Sequence, residues 1–139
     1  MAENIKIEIV TPEKYVVSES AQIVMAPGVL GEFGVLSGHT PFLTSLETGK
    51  VRYRDAEGKD KFAFVSGGFA EALSDRVTIL AESAELKEDI DYERAKAAYD
   101  RAKKRLEERK EDLDYARARA ALQRALARMN LAGDGGTLH

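Results

Sequence analysis

Arginines recur at helical spacing in the last third of the sequence, and they are the residues best suited to bind a ligand. Arg94 and Arg101 are seven residues apart, so they share one face of a helix. Arg124 and Arg128 are four apart and share a face of a second helix. If the two helices fold back on each other, these guanidinium groups repel unless an anion lies between them. A polyphosphate would supply that anion through bidentate hydrogen bonds. A solvated face paired with neighbouring acids is the alternative, and periodicity alone leaves it open.

Other residue types give little support for catalysis or metal binding. Asp89 and Asp91 could bind a metal, but acids at a helix start more often accept hydrogen bonds from free backbone N–H groups. The chain has two histidines, His39 and His139, and no cysteine, so a zinc site built from histidine and cysteine clusters is excluded. His39 could act as a general base, but no carboxylate and nucleophile are grouped near it in the sequence, which disfavours catalysis. We therefore expect no enzyme activity and no metal site, and a small β-barrel enzyme is a weak alternative.

The glycine-rich segment at residues 28–41 is the most unusual part of the first half. It matches neither GxxxxGK[ST] nor a GxGxxG that opens a helix, so tight turns are favoured over a nucleotide-binding loop. A second interpretation stays open, in which a shaped loop presents Glu32 and His39 to a partner protein.

Composition limits the classes of partner. The 139 residues are 44% hydrophobic and carry a net charge of -3, which gives no electrostatic basis for binding nucleic acid or an anionic membrane. No apolar run approaches the roughly 20 residues that span a bilayer. We expect any membrane association to pass through another protein.

Before residue 85 the apolar residues alternate with polar ones, which is typical of strands with one face on a core. Turn signals separate the short strands, so an antiparallel β-sandwich or flattened barrel is predicted. Parallel pairing would require long crossovers, and none is expected. The alternating apolar positions are Ile5, Ile7, Ile9, Val51, Tyr53, Phe62, Phe64, Val77 and Ile79.

After residue 85 the period becomes helical, and residues 88–95 are repeated at 111–118. A short linker near residues 108–112 predicts an antiparallel hairpin. We expect a sandwich at residues 1–86, a hairpin at 87–133 and a flexible tail at 134–139. The seam is rich in alanine, which buries little area, so the hairpin is predicted to detach and to have more than one docked state. Its seam positions are Ala95, Ala98, Ala102 and Leu106 in the first helix and Ala118, Leu122, Ala125 and Met129 in the second.

Four segments together resemble the epsilon subunits of bacterial F-type ATP synthases. They are 26–44, the Ser-Gly-Gly-Phe turn within 65–69, the strand at 77–81 and the motif at 90–95. The resemblance covers nearly the whole chain in order, and it implies the same sandwich and two helices. One departure is Ser37, which stands where the family usually has proline.

The resemblance implies a non-catalytic rotor subunit of a proton-translocating synthase. The sandwich would grip the gamma subunit and rest on the c-ring, with Glu32 and His39 facing the ring. The chain would lie at the cytoplasmic face of the bacterial plasma membrane, touching the membrane only through the c-ring. A stand-alone nucleotide sensor or adaptor module outside the synthase is the alternative.

Two regulatory features are also implied by the resemblance. An extended hairpin would inhibit ATP hydrolysis by meeting the alpha/beta catalytic head through Arg117, Arg119, Arg124 and Arg128. A folded hairpin would bind ATP as a regulatory ligand through an Ile/Leu-Asp-x-x-Arg-Ala motif. The residues implied for that site are Glu85, Ile90, Asp91, Arg94, Ala95, Arg101, Arg124 and Arg128.

Overall fold

A computed structural model describes residues 3–133, and the chain divides into two compact units, Met1–Lys87 and Glu88–His139. The first unit is built from strands and the second from two helices, which confirms the predicted fold class. The predicted tail at 134–139, with His139, lies outside the described residues. No helix within residues 3–133 is long and apolar enough to cross a membrane.

Nine strands form the described part of the first unit, and they pair in the order β4-β7-β8-β1-β2-β5-β6-β9, with β3 added to β2. The long strand β2 pairs with β1 through its first half and with β3 and β5 through its second half. The two halves of the sheet therefore share this strand. The bounds are β1 Ile5–Val10, β2 Tyr15–Gly28, β3 Gly31–Val35, β4 Phe42–Ser45, β5 Gly49–Asp55, β6 Asp60–Ser66, β7 Phe69–Ala72, β8 Arg76–Leu80 and β9 Ser83–Leu86.

The expectation that no strands pair in parallel is wrong for one pair. Strands β1 and β8 are parallel, with Ile7 opposite Val77 and Ile9 opposite Ile79. Parallel pairing requires a long connection between the two strands. Here that connection is formed by strands β2 to β7, which all lie between β1 and β8 in the sequence. The other strand pairs described are antiparallel.

Alternation places one face of most strands in the core, as predicted, but β6 differs. Phe62 and Phe64 are buried outside the main core cluster, whereas Ala63 and Val65 belong to it. The prediction that Phe62 and Phe64 face the core and alternate with exposed residues is therefore wrong, because both faces of β6 are buried. The fully buried core side chains include Ile7, Ile9, Val24, Val51, Val77 and Ile79.

The second unit consists of α1, Tyr92–Glu108, and α2, Tyr115–Ala132. A six-residue connection joins them, and Arg109 within it has a left-handed backbone with φ of 50°. The helices are antiparallel: a Cβ placed on Gly133, just after α2, would lie 3.4 Å from the ring of Tyr92 at the start of α1. The predicted hairpin is confirmed.

Candidate functional site

Each helix of the hairpin begins at an aspartate that caps it. The Asp91 carboxylate accepts a hydrogen bond from the backbone N–H of Arg94 at 3.1 Å. Asp114 accepts one from the N–H of Arg117 at the same distance. Because the first backbone N–H groups of a helix have no partner within the helix, these bonds fix where α1 and α2 start. The cap prediction for Asp91 is confirmed.

Small side chains form the seam between the helices. Ala95 and Ala102 of α1 and Ala118 and Ala125 of α2 are each at most 5% exposed. Alanine contributes little apolar area, since burial is worth about 25 cal/mol per Å². Two helices held mainly by alanines therefore gain little from contact with each other. The remaining predicted seam positions are half-buried, and they are Ala98, Leu106, Leu122 and Met129.

A cleft of about 380 Å³ lies between the two helices. Small side chains line its floor and four arginines surround it. Its volume falls within the roughly 300–1,000 Å³ of small-molecule sites. The lining residues are Ala98, Arg101, Ala102 and Arg105 from α1, and Leu113, Asp114, Arg117, Ala118, Ala121 and Arg124 from α2 and its cap.

The cleft carries a strong positive charge. Within residues 3–133, none of its four arginines has an acidic side chain at ion-pair distance. Asp114 is the one acid in the lining, and its carboxylate is used as the cap of α2. Guanidinium groups in this arrangement present N–H donors suited to phosphate or carboxylate oxygens. The cleft is therefore chemically suited to bind an anion.

The residues implied for nucleotide binding do not all come together in one place. Arg101 and Arg124 meet in the cleft, whereas Arg94 and Arg128 do not line it. Glu85 lies on β9 and belongs to the first unit. The other three lie at the start of α1: Ile90 just before the cap, Asp91 as the cap itself, and Ala95 buried in the first turn.

The sequence did not assign Arg105 or Arg117 to an anion site, although both line the cleft. Two signals could have identified them. Arg105 is four residues after Arg101, so the two share a helix face. Arg117 occupies the position in the repeated segment that Arg94 occupies in the first copy.

The residues implied for contact with a catalytic head lie along α2. Arg117 and Arg124 line the cleft, Arg119 is exposed and Arg128 is half-buried. The 18 residues of α2 contain these four arginines and no aspartate or glutamate. This helix therefore offers an anionic partner a surface without competing acids.

The loop residues Glu32 and His39 lie near opposite ends of β3. Glu32 is exposed and pairs in register with Pro27 beside the β2–β3 turn. His39 follows β3; its Nδ1 lies 2.6 Å from the carbonyl of Thr40, and its ring packs against Phe42 with centroids 5.0 Å apart. No hydrogen bond or ring contact joins the two side chains.

Turn geometry accounts for glycines in this loop. Gly31 has a φ of 124° and Gly38 a φ of 83°, a region that side chains disfavour. This supports the interpretation as tight turns. Among residues 3–133, no group of three or more histidine, cysteine, aspartate or glutamate side chains is placed to hold a metal ion.

Two family models match consecutive parts of the chain. Residues 4–87 match the beta-sandwich domain of the ATP synthase delta/epsilon chain, and residues 88–133 match its long alpha-helix domain. Together they cover almost all of the described residues.

Individual relatives agree with these matches. An ATP synthase epsilon chain of Desulfosudis oleivorans is 67% identical over 107 residues, covering 77% of this chain and 80% of that one. Another, of Nitratidesulfovibrio vulgaris, is 56% identical over 134 residues, covering 96% of this chain and 99% of that one.

The fold is also similar to a chain in a solved assembly. A chain in the mitochondrial ATP synthase of Euglena gracilis, solved with OSCP, F1 and the c-ring, superposes with a TM-score of 0.78. It is 24% identical, and the superposition covers 89% of this chain and 78% of that one. At this identity the likeness concerns the fold alone.

Proposed function

This chain belongs to the delta/epsilon chain family of ATP synthases, and from that premise we propose that it is the epsilon subunit in the central stalk of a bacterial F-type synthase. The observation that carries the proposal is the pair of consecutive family domains, which account for residues 4–133 in the family's order. Relatives that share 56% identity over 96% of this chain support it.

The first unit serves as the structural part of this role. It contacts the gamma subunit and the c-ring, and its membrane association runs through that ring at the cytoplasmic face of the plasma membrane. Exposed Glu32 and the anchored ring of His39 are its ring-facing candidates. Catalysis belongs to the beta subunits of the synthase.

The second unit serves as the regulatory part. The hairpin has two states. In the closed state the two helices pack against each other. In the extended state the arginines of α2 contact an acidic surface of the catalytic head, and this contact inhibits ATP hydrolysis. The absence of acids from α2 and the alanine seam support this proposal. A weakly closed hairpin changes state easily, because the free-energy difference between its two states is small.

ATP is the regulatory ligand of the closed state, bound at the first motif. A ligand at about 100 times its dissociation constant stabilises the state that binds it by about 2.7 kcal/mol. That is large compared with the contribution of a few buried alanines. Low ATP would therefore release the hairpin and favour inhibition.

Reconstitution tests the regulatory role. Synthase depleted of its own epsilon chain is rebuilt with this chain or with R119Q/R128Q, whose arginines lie on α2 outside the cleft. We expect the variant to release hydrolysis from inhibition while synthesis stays unchanged. The control K96Q/K103Q removes the same charge from α1. Equal hydrolysis with wild type, variant and control would contradict the role of α2.

Co-purification tests the structural role. Chain expressed in its own host should be recovered with gamma and c subunits. Recovery of the chain with neither the gamma nor the c subunit would instead favour a stand-alone nucleotide sensor.

A further inference from the structure

Strands β3 and β4 are joined by aromatic rings and not by a ladder of backbone hydrogen bonds. Within residues 3–133, β3 pairs with β2 and β4 pairs with β7. The rings of Phe33 in β3 and Phe42 in β4 meet edge to face, with centroids 5.1 Å apart and an interplanar angle of 86°. Aromatic pairs prefer this geometry. The pair therefore fixes the start of β4 against β3.

The aromatic pair has firm support from the sandwich. Phe33 and Phe42 are both half-buried and pack against the core. The ring of Phe33 lies so close to Gly28 in β2 that a Cβ on this glycine would be 3.0 Å from Phe33 Cδ1. Close packing leaves a ring few alternative orientations. Phe33 therefore gives the ring of Phe42 a fixed surface to rest on.

The loop between the two strands places His39 on this pair. Its ring meets that of Phe42 with centroids 5.0 Å apart and an interplanar angle of 62°. The backbone N–H of His39 donates to the carbonyl of Leu36 at 3.2 Å. The preceding N–H, of Gly38, donates to the carbonyl of Ser74 at 2.7 Å. The imidazole is therefore held through its backbone and through a ring contact before any partner binds.

One nitrogen of this imidazole is left for a partner. Nδ1 of His39 lies 2.6 Å from the carbonyl oxygen of Thr40. A carbonyl oxygen only accepts, so Nδ1 carries the proton, and Nε2 of the neutral ring is a hydrogen-bond acceptor. In the described part of the chain, Nε2 has no hydrogen-bond partner. The ring therefore offers one acceptor atom, in a fixed direction, to another protein.

We propose that Phe42, supported by Phe33, is a positioning residue that directs Nε2 of His39 toward a hydrogen-bond donor of the c-ring. The inference rests on the proposed function, in which His39 faces that ring. A backbone N–H or the side chain of a lysine, arginine, asparagine or glutamine supplies such a donor, whereas an ionised carboxylate only accepts. Holding the imidazole beforehand strengthens binding, because a free side chain loses rotamer freedom on association.

The first test is the NMR shift of the His39 ring hydrogens in the full chain, assigned by their loss in H39A. The ring current of Phe42 displaces these signals. F42L keeps an apolar side chain but should abolish the displacement, whereas F42Y keeps the ring and should retain it. The control L43A removes an exposed side chain from the next position of β4 and should change nothing. Urea midpoints of all variants establish that they are folded.

The second test is the affinity of the full chain for a detergent-solubilised subcomplex of the gamma subunit and the c-ring. H39A and F42L should each raise the dissociation constant about threefold to tenfold, the range expected for one hydrogen bond. F42Y and L43A should stay within about twofold of wild type. F33L removes only the supporting ring, so it should change the NMR shift and the affinity in the same direction as F42L but by less.

The outcomes separate this inference from the proposed function. Loss of affinity in H39A and F42L, restored in F42Y, would support it. Unchanged affinity in H39A would show that His39 does not contact the c-ring, and the inference would fall with that contact. Weaker binding by H39A but not by F42L or F33L would keep the contact and overturn only the role of Phe42. An unchanged His39 shift in F42L, or an equal loss of affinity in L43A, would also overturn it.

Discussion

The ammonium group of Lys61 lies 3.3 Å from the carboxylate of Asp55, one of the few buried polar side chains of the sandwich. Asp55 also accepts hydrogen bonds from the backbone N–H groups of Lys59 and Glu57, both at 2.9 Å. Lys61 in turn donates to Glu19 at 3.1 Å. This cluster joins β2, β5 and β6 and closes the β5–β6 turn.

The first prediction concerns acid stability. The hydrogen bond from the Lys59 N–H, with those from Glu57 and Lys61, holds the pKa of Asp55 below its ordinary value. The stabilisation is therefore present above about pH 4 and is lost as pH falls through the folded-state pKa. Asp55→Asn should lower the urea midpoint of the sandwich at pH 7, and the difference from wild type should shrink near pH 3. The control Asp75→Asn, at an exposed position, should change neither.

The second prediction concerns alkaline stability. The hydrogen bond to Glu19, with the Asp55 contact, raises the pKa of Lys61. Its stabilisation is complete below the unfolded-state pKa and is lost as pH rises through the folded value. Lys61→Met should therefore lower the urea midpoint at pH 7 and differ less from wild type above about pH 11. A difference that grew with pH would contradict this assignment.

The third prediction concerns Gly68 in the turn before β7. Its φ is 94°, and a Cβ there would lie only 1.9 Å from the carbonyl oxygen of Leu80. Gly68→Ala should lower the free energy of unfolding by about 3 kcal/mol or more, because backbone must move. Gly38→Ala is the control, since its φ is 83° but no atom lies within 4 Å of the added Cβ. That change should cost about 1–2 kcal/mol, from the left-handed backbone alone. Equal losses in chemical denaturation would show that contact with Leu80 is unimportant.

The fourth prediction concerns the helix caps. Asp114→Ala removes the acceptor for the N–H of Arg117 and should destabilise the start of α2 by about 1 kcal/mol. Amide exchange in the first turns of α2 should then be about fivefold faster. Asp114→Asn keeps an oxygen acceptor and should exchange nearly as the wild type does. An equal effect of both changes would point to charge rather than to the hydrogen bond.

The fifth prediction concerns the first motif. Arg94→Gln should weaken ATP binding about tenfold or more, because a charge-assisted bond to phosphate is lost. Lys96→Gln removes the same charge two residues away and should leave the affinity within about twofold. Titration calorimetry of the full chain measures both. Equal ATP affinities of the two variants would show that Arg94 does not bind ATP.

Periodicity was sufficient to predict the strands and the two helices, and the acidic residues at the helix starts indicated the capping role of Asp91. It failed for the β1–β8 pair, because which segments some 65 residues apart become neighbours, and in which direction they run, depends on the whole intervening sheet. It also failed for β6, where Phe62, Ala63, Phe64 and Val65 are all apolar and alternation cannot indicate which face meets the core.

The arginine cluster was predicted in part. Spacing correctly brought Arg101 and Arg124 together, since each lies on the inner side of its helix. Whether Arg94 and Arg128 or Arg105 and Arg117 join them depends on how far along the hairpin the helices leave a cleft. That is a property of helix contact, which side-chain spacing within one helix does not contain.

The most direct test of the regulatory account is amide exchange of the full chain with and without ATP. Saturating ATP should slow exchange across α1 and α2 and leave the sandwich core unchanged. That result would establish a hairpin with two states whose balance ATP shifts. Exchange in both helices that already equals that of the sandwich core, or that stays the same at millimolar ATP, would contradict it.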